Sequence, residues 1–210
     1  MLVYLNFDGV LHPNHLQYRY RRPPELLSPS HTTFEYAPAL ENALEGCPDA
    51  AVMLNTWWTY YLTVEACLEL LPASIRPRVV GTTLVGGIDE APLPNRVREA
   101  ERHIGVQTNE LLVLDNSSAR YGESLLPQVL LVNEETGLSC LSAMRALKKR
   151  LHSQWSRAAS DKIDRQPVPI PSIRNGRKTA VRQLTETHQP TIEKSEIVDI
   201  YLENRNCRLK

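Results

Sequence analysis

Cysteine is scarce and scattered in this sequence. The four cysteines, Cys47, Cys67, Cys140 and Cys207, form no C-x-x-C pair, which argues against a structural zinc site. A chain of 210 residues with 42% hydrophobic residues can bury a core without the disulfide framework that small secreted domains need. The cysteine pattern therefore predicts reduced thiols in a cytoplasmic protein.

Long hydrophobic runs are also missing. No apolar stretch of the sequence approaches the ~20 residues that a membrane-spanning helix requires. The apolar opening Met1–Leu5 carries no basic leader and is interrupted by Asn6 and Asp8, a pattern unlike that of a secretory signal. We therefore expect no membrane among the partners of this protein.

An excess of charge of one sign is missing from the whole chain but not from its parts. The 24 basic and 24 acidic residues give a formal net charge of zero. Residues 1–144 carry 9 Lys/Arg and 17 Asp/Glu, a net charge of −8, whereas residues 145–182 carry 11 and 2, a net charge of +9. The basic segment suits a nucleic acid or an acidic surface. A solubilising tail, or one that docks on its own acidic body, is the alternative.

Short apolar runs alternate with helical periodicity over the first 152 residues. The apolar runs are continuous and end at polar residues: 2–5, 51–54, 111–114 and 128–132, with a weaker run at 78–80. Continuous runs indicate strands that are covered on both faces, as in a parallel sheet. Apolar residues at helical spacing occur within residues 37–44, 64–71, 97–104 and 138–151. The alternation predicts an α/β domain over residues 1–152, with a doubly wound, mostly parallel sheet.

The pattern of strands and helices stops after residue 152. Pro167, Pro169 and Pro171 alternate with other residues, and basic residues follow with few large apolar ones. Such composition cannot bury enough apolar surface to fold alone. We therefore predict that residues 153–210 form a basic, proline-containing and mostly disordered tail.

Small polar residues follow three of the predicted strands. They form the pairs Asn6 and Asp8, Asn55 and Thr56, and Asp115 and Asn116. A strand followed by Asp or Asn is by itself most often only a turn. In an open parallel sheet, however, ligands bind beyond the carboxyl ends of the strands. The shared polar ending of three strands therefore predicts one site at this edge of the sheet.

The order of these motifs resembles the haloacid dehalogenase (HAD) superfamily. The resemblance is closest to the small HAD domain of Swiss Army Knife RNA-repair proteins and covers about residues 1–151. The motifs that carry it are Asn6-Phe7-Asp8-Gly9-Val10-Leu11 with His12-Pro13, Thr56-Trp57-Trp58, Arg96, Asp115-Asn116 and Thr136-Gly137-Leu138. It implies a HAD-like Rossmannoid fold. Only about 25 residues separate His12 from the next predicted helix, so a minimal flap replaces a cap domain.

The resemblance implies a role for each position of the site. Asn6 stands where the family has a nucleophilic aspartate, and Asp8 would be the general acid and would offer its backbone carbonyl to Mg²⁺. Thr56 and Arg96 would bind phosphate, together with the neighbouring Asn55. These roles suit phosphoryl transfer, which needs an in-line nucleophile and cations on the phosphate oxygens.

Two positions depart from the family pattern and weaken the implied chemistry. Asn6 is a neutral amide and a very poor nucleophile, and Asn116 leaves Asp115 as the one anionic metal ligand of the pair. The resemblance therefore implies weakly bound Mg²⁺, with Asn116 as a weak ligand. Asn6 is either native or a trapping substitution.

Two functions remain open from the sequence. One is a phosphohydrolase that is impaired or inactive because of Asn6. The other is a non-catalytic module that binds a phosphorylated small molecule, a nucleic-acid end or a protein partner.

Other aromatic and basic residues allow two readings each. Trp57 and Trp58 suit either base stacking or packing, and we expect at least one of them to pack beneath the second strand. The segment from Gln17 to Arg22 interleaves tyrosine with arginine, which suits either a single-stranded nucleic acid or a solvated flap. His12 and His15 are predicted to be turn residues rather than metal ligands.

Overall fold

The computed structural model describes residues 1–19, 22–84, 94–105 and 110–164. Five strands of this part of the chain form one sheet. They are β1 (Leu2–Leu5), β4 (Ala51–Leu54), β5 (Val79–Thr82), β6 (Leu111–Asn116) and β7 (Val129–Val132). Two short strands, β2 (Leu16–Gln17) and β3 (Glu25–Leu26), pair in an antiparallel hairpin.

All neighbouring strands of the sheet run parallel, in the order β5-β4-β1-β6-β7. The chain builds outward from β1 to β5 on one side and then crosses to β6 and β7 on the other. The strand order therefore reverses between β1 and β6, which is where doubly wound proteins bind ligands. The predicted fold class is confirmed.

Helices cover both faces of the sheet. They are α1 (Ala37–Leu44), α2 (Trp58–Tyr61), α3 (Val64–Leu70), α4 (Arg96–Ile104) and α5 (Leu141–Asp164). One core joins alternate residues of the central strands to α1, α3 and α5, and the other core joins the intervening residues to α4. Because both faces are covered, the strands are apolar throughout rather than alternating.

Side chains at the helix ends fix where α3 and α4 begin. The Thr63 hydroxyl accepts a hydrogen bond from the Ala66 amide at 3.2 Å, and Asn95 Oδ1 accepts one from the Arg98 amide at 3.0 Å. Such caps satisfy amides that a helix leaves unpaired in its first turn. The Asn95 cap makes Arg96 the first residue of α4.

A glycine lets two loops near the end of β1 approach each other. Gly137 has φ +45°, and a Cβ on it would lie 2.5 Å from the Val10 carbonyl oxygen. The next amide, of Leu138, donates to that same oxygen at 3.0 Å. Gly137 and Leu138 belong to a 3-10 turn, so the final helix begins at Leu141 rather than at 138.

Helix α5 continues past the predicted end of the domain. The predicted limit at residue 152 lies inside this helix, which runs to Asp164. The remainder of the predicted tail, 165–210, and Cys207 lie outside the described residues. Cys47 and Cys67 are buried and Cys140 is half-buried, and no disulfide joins any two of these three cysteines. Within the described ranges, no helix is both long and apolar enough to cross a membrane.

Candidate functional site

The polar ends of β1, β4 and β6 meet at one edge of the sheet. The backbone N–H of Asn6 donates to the Leu114 carbonyl at 3.1 Å, and the backbone N–H of Asn55 donates to the Leu5 carbonyl at 2.8 Å. Backbone pairing therefore continues one residue beyond β1 on the side of β6 and one residue beyond β4 on the other side. This continuation places the residues after β1 between those that follow β4 and β6.

The Asn6 side chain joins the polar residues after β1 to those at the end of β6 through its amide nitrogen. Nδ2 donates to the Asp8 carbonyl oxygen at 2.9 Å and to Asp115 Oδ1 at 2.9 Å. Both partners are acceptors only, so the atom between them must be the nitrogen. The other amide atom, Asn6 Oδ1, is buried and has no hydrogen-bond partner among the described residues.

The Asp8 carboxylate is held by three donors. Trp58 Nε1 donates to Oδ1 at 2.7 Å, His12 Nε2 lies 3.3 Å from the same oxygen, and the Tyr18 hydroxyl donates to Oδ2. His12 Nδ1 accepts from the Phe34 amide at 3.3 Å, so Nε2 carries a proton and donates to Asp8. Trp58 is buried, as predicted for at least one of the two tryptophans.

The Asp115 carboxylate is the most enclosed charge in the site. Oδ1 accepts from the Asn6 side chain and, at 2.7 Å, from the backbone N–H of Asn116. Oδ2 accepts from Arg96 and, at 2.7 Å, from the Tyr121 hydroxyl. Burial disfavours the charged form of Arg96, but the adjacent Asp115 more than offsets this effect, so the pKa of Arg96 lies above its usual value. Arg96 therefore stays charged and neutralises Asp115.

The Asn116 side chain reaches the same backbone carbonyl as Asn6. Its Nδ2 donates to the Asp8 carbonyl oxygen at 2.8 Å, while its Oδ1 accepts from the Ser118 amide at 3.0 Å. Gly9 makes this approach possible, because a Cβ on Gly9 would lie 2.8 Å from the Asn116 Cβ. Gly9 also has φ +69°, a backbone conformation that costs glycine little.

Residues after β4 complete the network. Asn55 Oδ1 accepts from the Thr83 hydroxyl at 2.8 Å, and Asn55 Nδ2 donates to the Tyr121 hydroxyl at 3.2 Å. The Thr56 hydroxyl oxygen accepts a long bond of 3.4 Å from the Trp58 amide. Thr56 is fully buried, and no described residue accepts a hydrogen bond from its hydroxyl.

The sequence-predicted residues form one connected group. Direct hydrogen bonds link Asn6, Asp8, Arg96, Asp115 and Asn116, and Asn55 joins them through Tyr121. Thr56 lies beside Asn55 in the chain without a direct hydrogen bond to this group.

Four partners of the group were not predicted as site residues: Tyr18, Trp58, Tyr121 and His12. The signals for Trp58 and His12 were their places in the family motifs, whereas nothing in the sequence singled out Tyr121. His12 is not a simple turn residue, because its ring is fully buried against Asp8. His15 is exposed and pairs with Glu135 at 3.2 Å.

Tyr18, Tyr61 and Trp57 form an aromatic group that contacts two residues of the site, Asp8 and Arg96. The Tyr18 ring centroid lies 4.8 Å from that of Tyr61 and 6.2 Å from that of Trp57. The Arg96 guanidinium lies 5.9 Å from the Trp57 ring centroid. Of the interleaved tyrosine and arginine residues, Tyr18 points inward to Asp8, whereas Arg19 is exposed.

We expect the change Tyr18→Phe to destabilise the protein by about 1–3 kcal/mol, because a buried carboxylate oxygen loses a donor. Burial, followed by the charge of Asp8, raises the pKa of Tyr18 above its usual value, so the hydroxyl donates throughout the physiological range. Chemical denaturation measures the loss. The control Tyr61→Phe removes a hydroxyl from the neighbouring ring and should change the free energy of unfolding by less than about 0.5 kcal/mol. Equal losses in the two variants would contradict the role given to Tyr18.

Comparison with known proteins identifies the family. No curated protein matches the chain, and neither does any solved structure. One family model, the HAD domain in Swiss Army Knife RNA repair proteins, matches residues 2–143. The match spans more than half of the chain and all the residues of the site. The chain therefore belongs to this family of HAD domains.

Proposed function

We propose that this chain is a phosphohydrolase-type HAD domain that binds a phosphorylated ligand without hydrolysing it. The observation that supports this proposal most directly is the chemistry and hydrogen bonding of the Asn6 side chain. A neutral amide stands at the nucleophile position, and its nitrogen is held by the Asp8 carbonyl and the Asp115 carboxylate. An amide in this place does not form the covalent phosphoryl intermediate that a carboxylate nucleophile forms.

Two groups support recognition of a phosphate. The Thr56 hydroxyl is buried and has no acceptor for its proton among the described residues, and Arg96 remains charged at the first residue of α4. Arg96 uses Nη1 for Asp115, and a guanidinium has further N–H donors. Arginine and hydroxyl donors are the usual partners of phosphate oxygens.

The unpartnered Asn6 Oδ1 favours a particular protonation state of the ligand. This buried acceptor would repel the oxygens of a phosphate dianion, whereas a monoanion carries one O–H that can donate to it. Asp8 and Asp115 outnumber Arg96 in the site, which also disfavours a second negative charge. The second pKa of a phosphate ester is about 6. We therefore propose that binding is tighter below that pH than above it.

The ligand class that we propose is a phosphorylated RNA end. The description of the family places its members in RNA repair proteins. The basic segment 145–182 would add sequence-independent attraction to a nucleic acid. Its described part includes the exposed Arg145 and Lys149 of α5.

The proposal is tested by calorimetry with a short RNA that carries a terminal phosphate and with its dephosphorylated counterpart. We expect tighter binding of the phosphorylated RNA and no release of inorganic phosphate. Thr56→Val keeps the shape of the side chain but removes the donor, and should weaken binding about tenfold. The control Thr32→Val makes the same change at an exposed threonine and should leave the affinity unchanged.

Two results would refute the proposal. Release of phosphate by the unaltered chain would show that it is an enzyme. Equal affinity for the two RNAs would show that the phosphate is not recognised.

A further inference from the structure

We propose that the site binds its phosphorylated ligand without a divalent cation, because the amide N–H groups of Asn6 and Asn116, together with Arg96, take the place of Mg²⁺. The inference rests on the function proposed above, since it concerns the same site. It replaces the weak Mg²⁺ site that the resemblance implied. The oxygen atoms that a metal would need here already accept hydrogen bonds from other groups.

The first of these oxygens is the Asp8 backbone carbonyl. It accepts hydrogen bonds from two side-chain amides, Asn6 Nδ2 at 2.9 Å and Asn116 Nδ2 at 2.8 Å. A carbonyl oxygen has two lone pairs, so the two donors use its full capacity. A cation would have to displace at least one of them.

The second group that a metal would need is the Asp115 carboxylate. Both its oxygens have two donors each, and one of these donors, Arg96, carries a full positive charge. Mg²⁺ binds one or two carboxylates in near-octahedral geometry and gives up its water reluctantly. At Asp115 it would compete with a buried guanidinium that already neutralises the charge.

The side chain at position 6 presents the wrong atom to a cation. Its amide nitrogen, not its oxygen, faces the Asp8 carbonyl and Asp115. Rotating the amide would bring the oxygen inward but would break both hydrogen bonds. The Asp8 carboxylate is no substitute ligand, because Trp58, Tyr18 and His12 already donate to it. No group of three or more His, Cys, Asp and Glu suited to a metal ion occurs in the described part of the chain.

The two asparagines act on the same atom, which bears on the origin of Asn6. A single trapping substitution would remove a nucleophile and leave the rest of a metal site in place. Here a second amide, at position 116, donates to the Asp8 carbonyl as well. The pair makes one hydrogen-bonded replacement for a cation, and we infer that Asn6 is native.

The test is a titration of the purified full chain with Mn²⁺, followed by electron paramagnetic resonance, with thermal midpoints measured in MgCl₂ and in EDTA. We expect the unaltered chain to bind no Mn²⁺ in the millimolar range and to melt at the same temperature in both solutions. The double variant Asn6→Asp, Asn116→Asp should bind Mn²⁺ at least about tenfold more tightly than the unaltered chain and gain thermal stability in MgCl₂. The single variant Asn116→Asp should bind with intermediate affinity.

Asn42→Asp is the matched control, because it adds a carboxylate at an exposed position of α1 and should behave like the unaltered chain. Millimolar or tighter binding of Mn²⁺ by the unaltered chain would overturn the inference. A folded double variant without metal binding would also overturn it. Neither result would make Asn6 a nucleophile. The proposed function would be refuted by a different result, the release of inorganic phosphate by the unaltered chain.

Discussion

Replacing Asn6 by aspartate is expected to give a Mg²⁺-dependent phosphatase where the unaltered chain has no measurable turnover. The new carboxylate would attack phosphorus and break its bond to the leaving oxygen. This oxygen would take up a proton from Asp8 in its protonated form, which leaves Asp8 as the carboxylate that accepts from Trp58 and Tyr18. Water would then hydrolyse the acyl phosphate and release inorganic phosphate. Loss of a nucleophile costs on the order of a million-fold in kcat in other enzymes, so the gain should span several orders of magnitude.

The structure explains why this activity should depend on Mg²⁺. The new carboxylate would face the Asp8 carbonyl and the Asp115 carboxylate, which now accept hydrogen bonds from Asn6 Nδ2. Three acceptors at this distance repel one another unless a cation lies between them. The variant should therefore melt at a higher temperature in MgCl₂ than in EDTA.

The measurement is hydrolysis of 4-nitrophenyl phosphate, with MgCl₂ and with EDTA. Adding Asp8→Asn to the Asn6→Asp variant should abolish the activity, because the leaving oxygen then lacks its proton donor. Asn42→Asp should be inactive under all conditions. If Asn6→Asp is folded, binds Mg²⁺ and still fails across a panel of phosphate esters, the missing nucleophile is not what silences the domain.

Replacing Arg96 by methionine should destabilise the fold by about 3–5 kcal/mol, because it leaves a buried carboxylate without its charged partner. Asp115 is fully buried, and Arg96 is the only side chain of the described residues that pairs with it as a salt bridge. Methionine keeps much of the volume of the arginine stem. Chemical denaturation at neutral pH gives the free energy of unfolding.

Two further variants separate the charge effect from a loss of packing. Arg98→Met changes an exposed arginine of the same helix and should cost less than about 0.5 kcal/mol. Adding Asp115→Asn to Arg96→Met should recover part of the loss, since no net charge is then left buried. A double variant less stable than Arg96→Met alone would contradict this account.

The strands and the place of the site could be predicted because both depend on local pattern. The run Leu2–Leu5 is apolar throughout, and it forms the central strand, buried on both faces. Asn6 and Asp115 follow apolar runs directly, so parallel pairing was enough to bring them to one edge. The family motifs added Arg96, which lies far from any predicted strand end.

The partners of the site could not be predicted because they depend on tertiary contacts. Tyr121 lies in a loop after β6 and joins Asn55 to Asp115, a contact that needs β4 and β6 on either side of β1. Tyr18 directly follows β2 of the hairpin, and its contact with Asp8 at the end of β1 depends on how the hairpin packs, which no local pattern indicates. The end of α5 at Asp164 was missed although Trp155, Ala159 and Ile163 continue the helical spacing of apolar residues beyond Leu151.

The sequence by itself determined the fold class, the edge of the sheet at which the polar residues gather, and the presence of a neutral amide, Asn6, directly after the central strand. These follow from apolar periodicity and residue type, which are local properties. Only the tertiary structure decided how Asn6 and Asn116 are used. Residue type gives an amide both a donor and an acceptor, and the choice between them depends on the atoms it faces. The Asp8 carbonyl and the Asp115 carboxylate are both acceptors, so the side-chain amides turn their nitrogens towards these oxygens and donate to them.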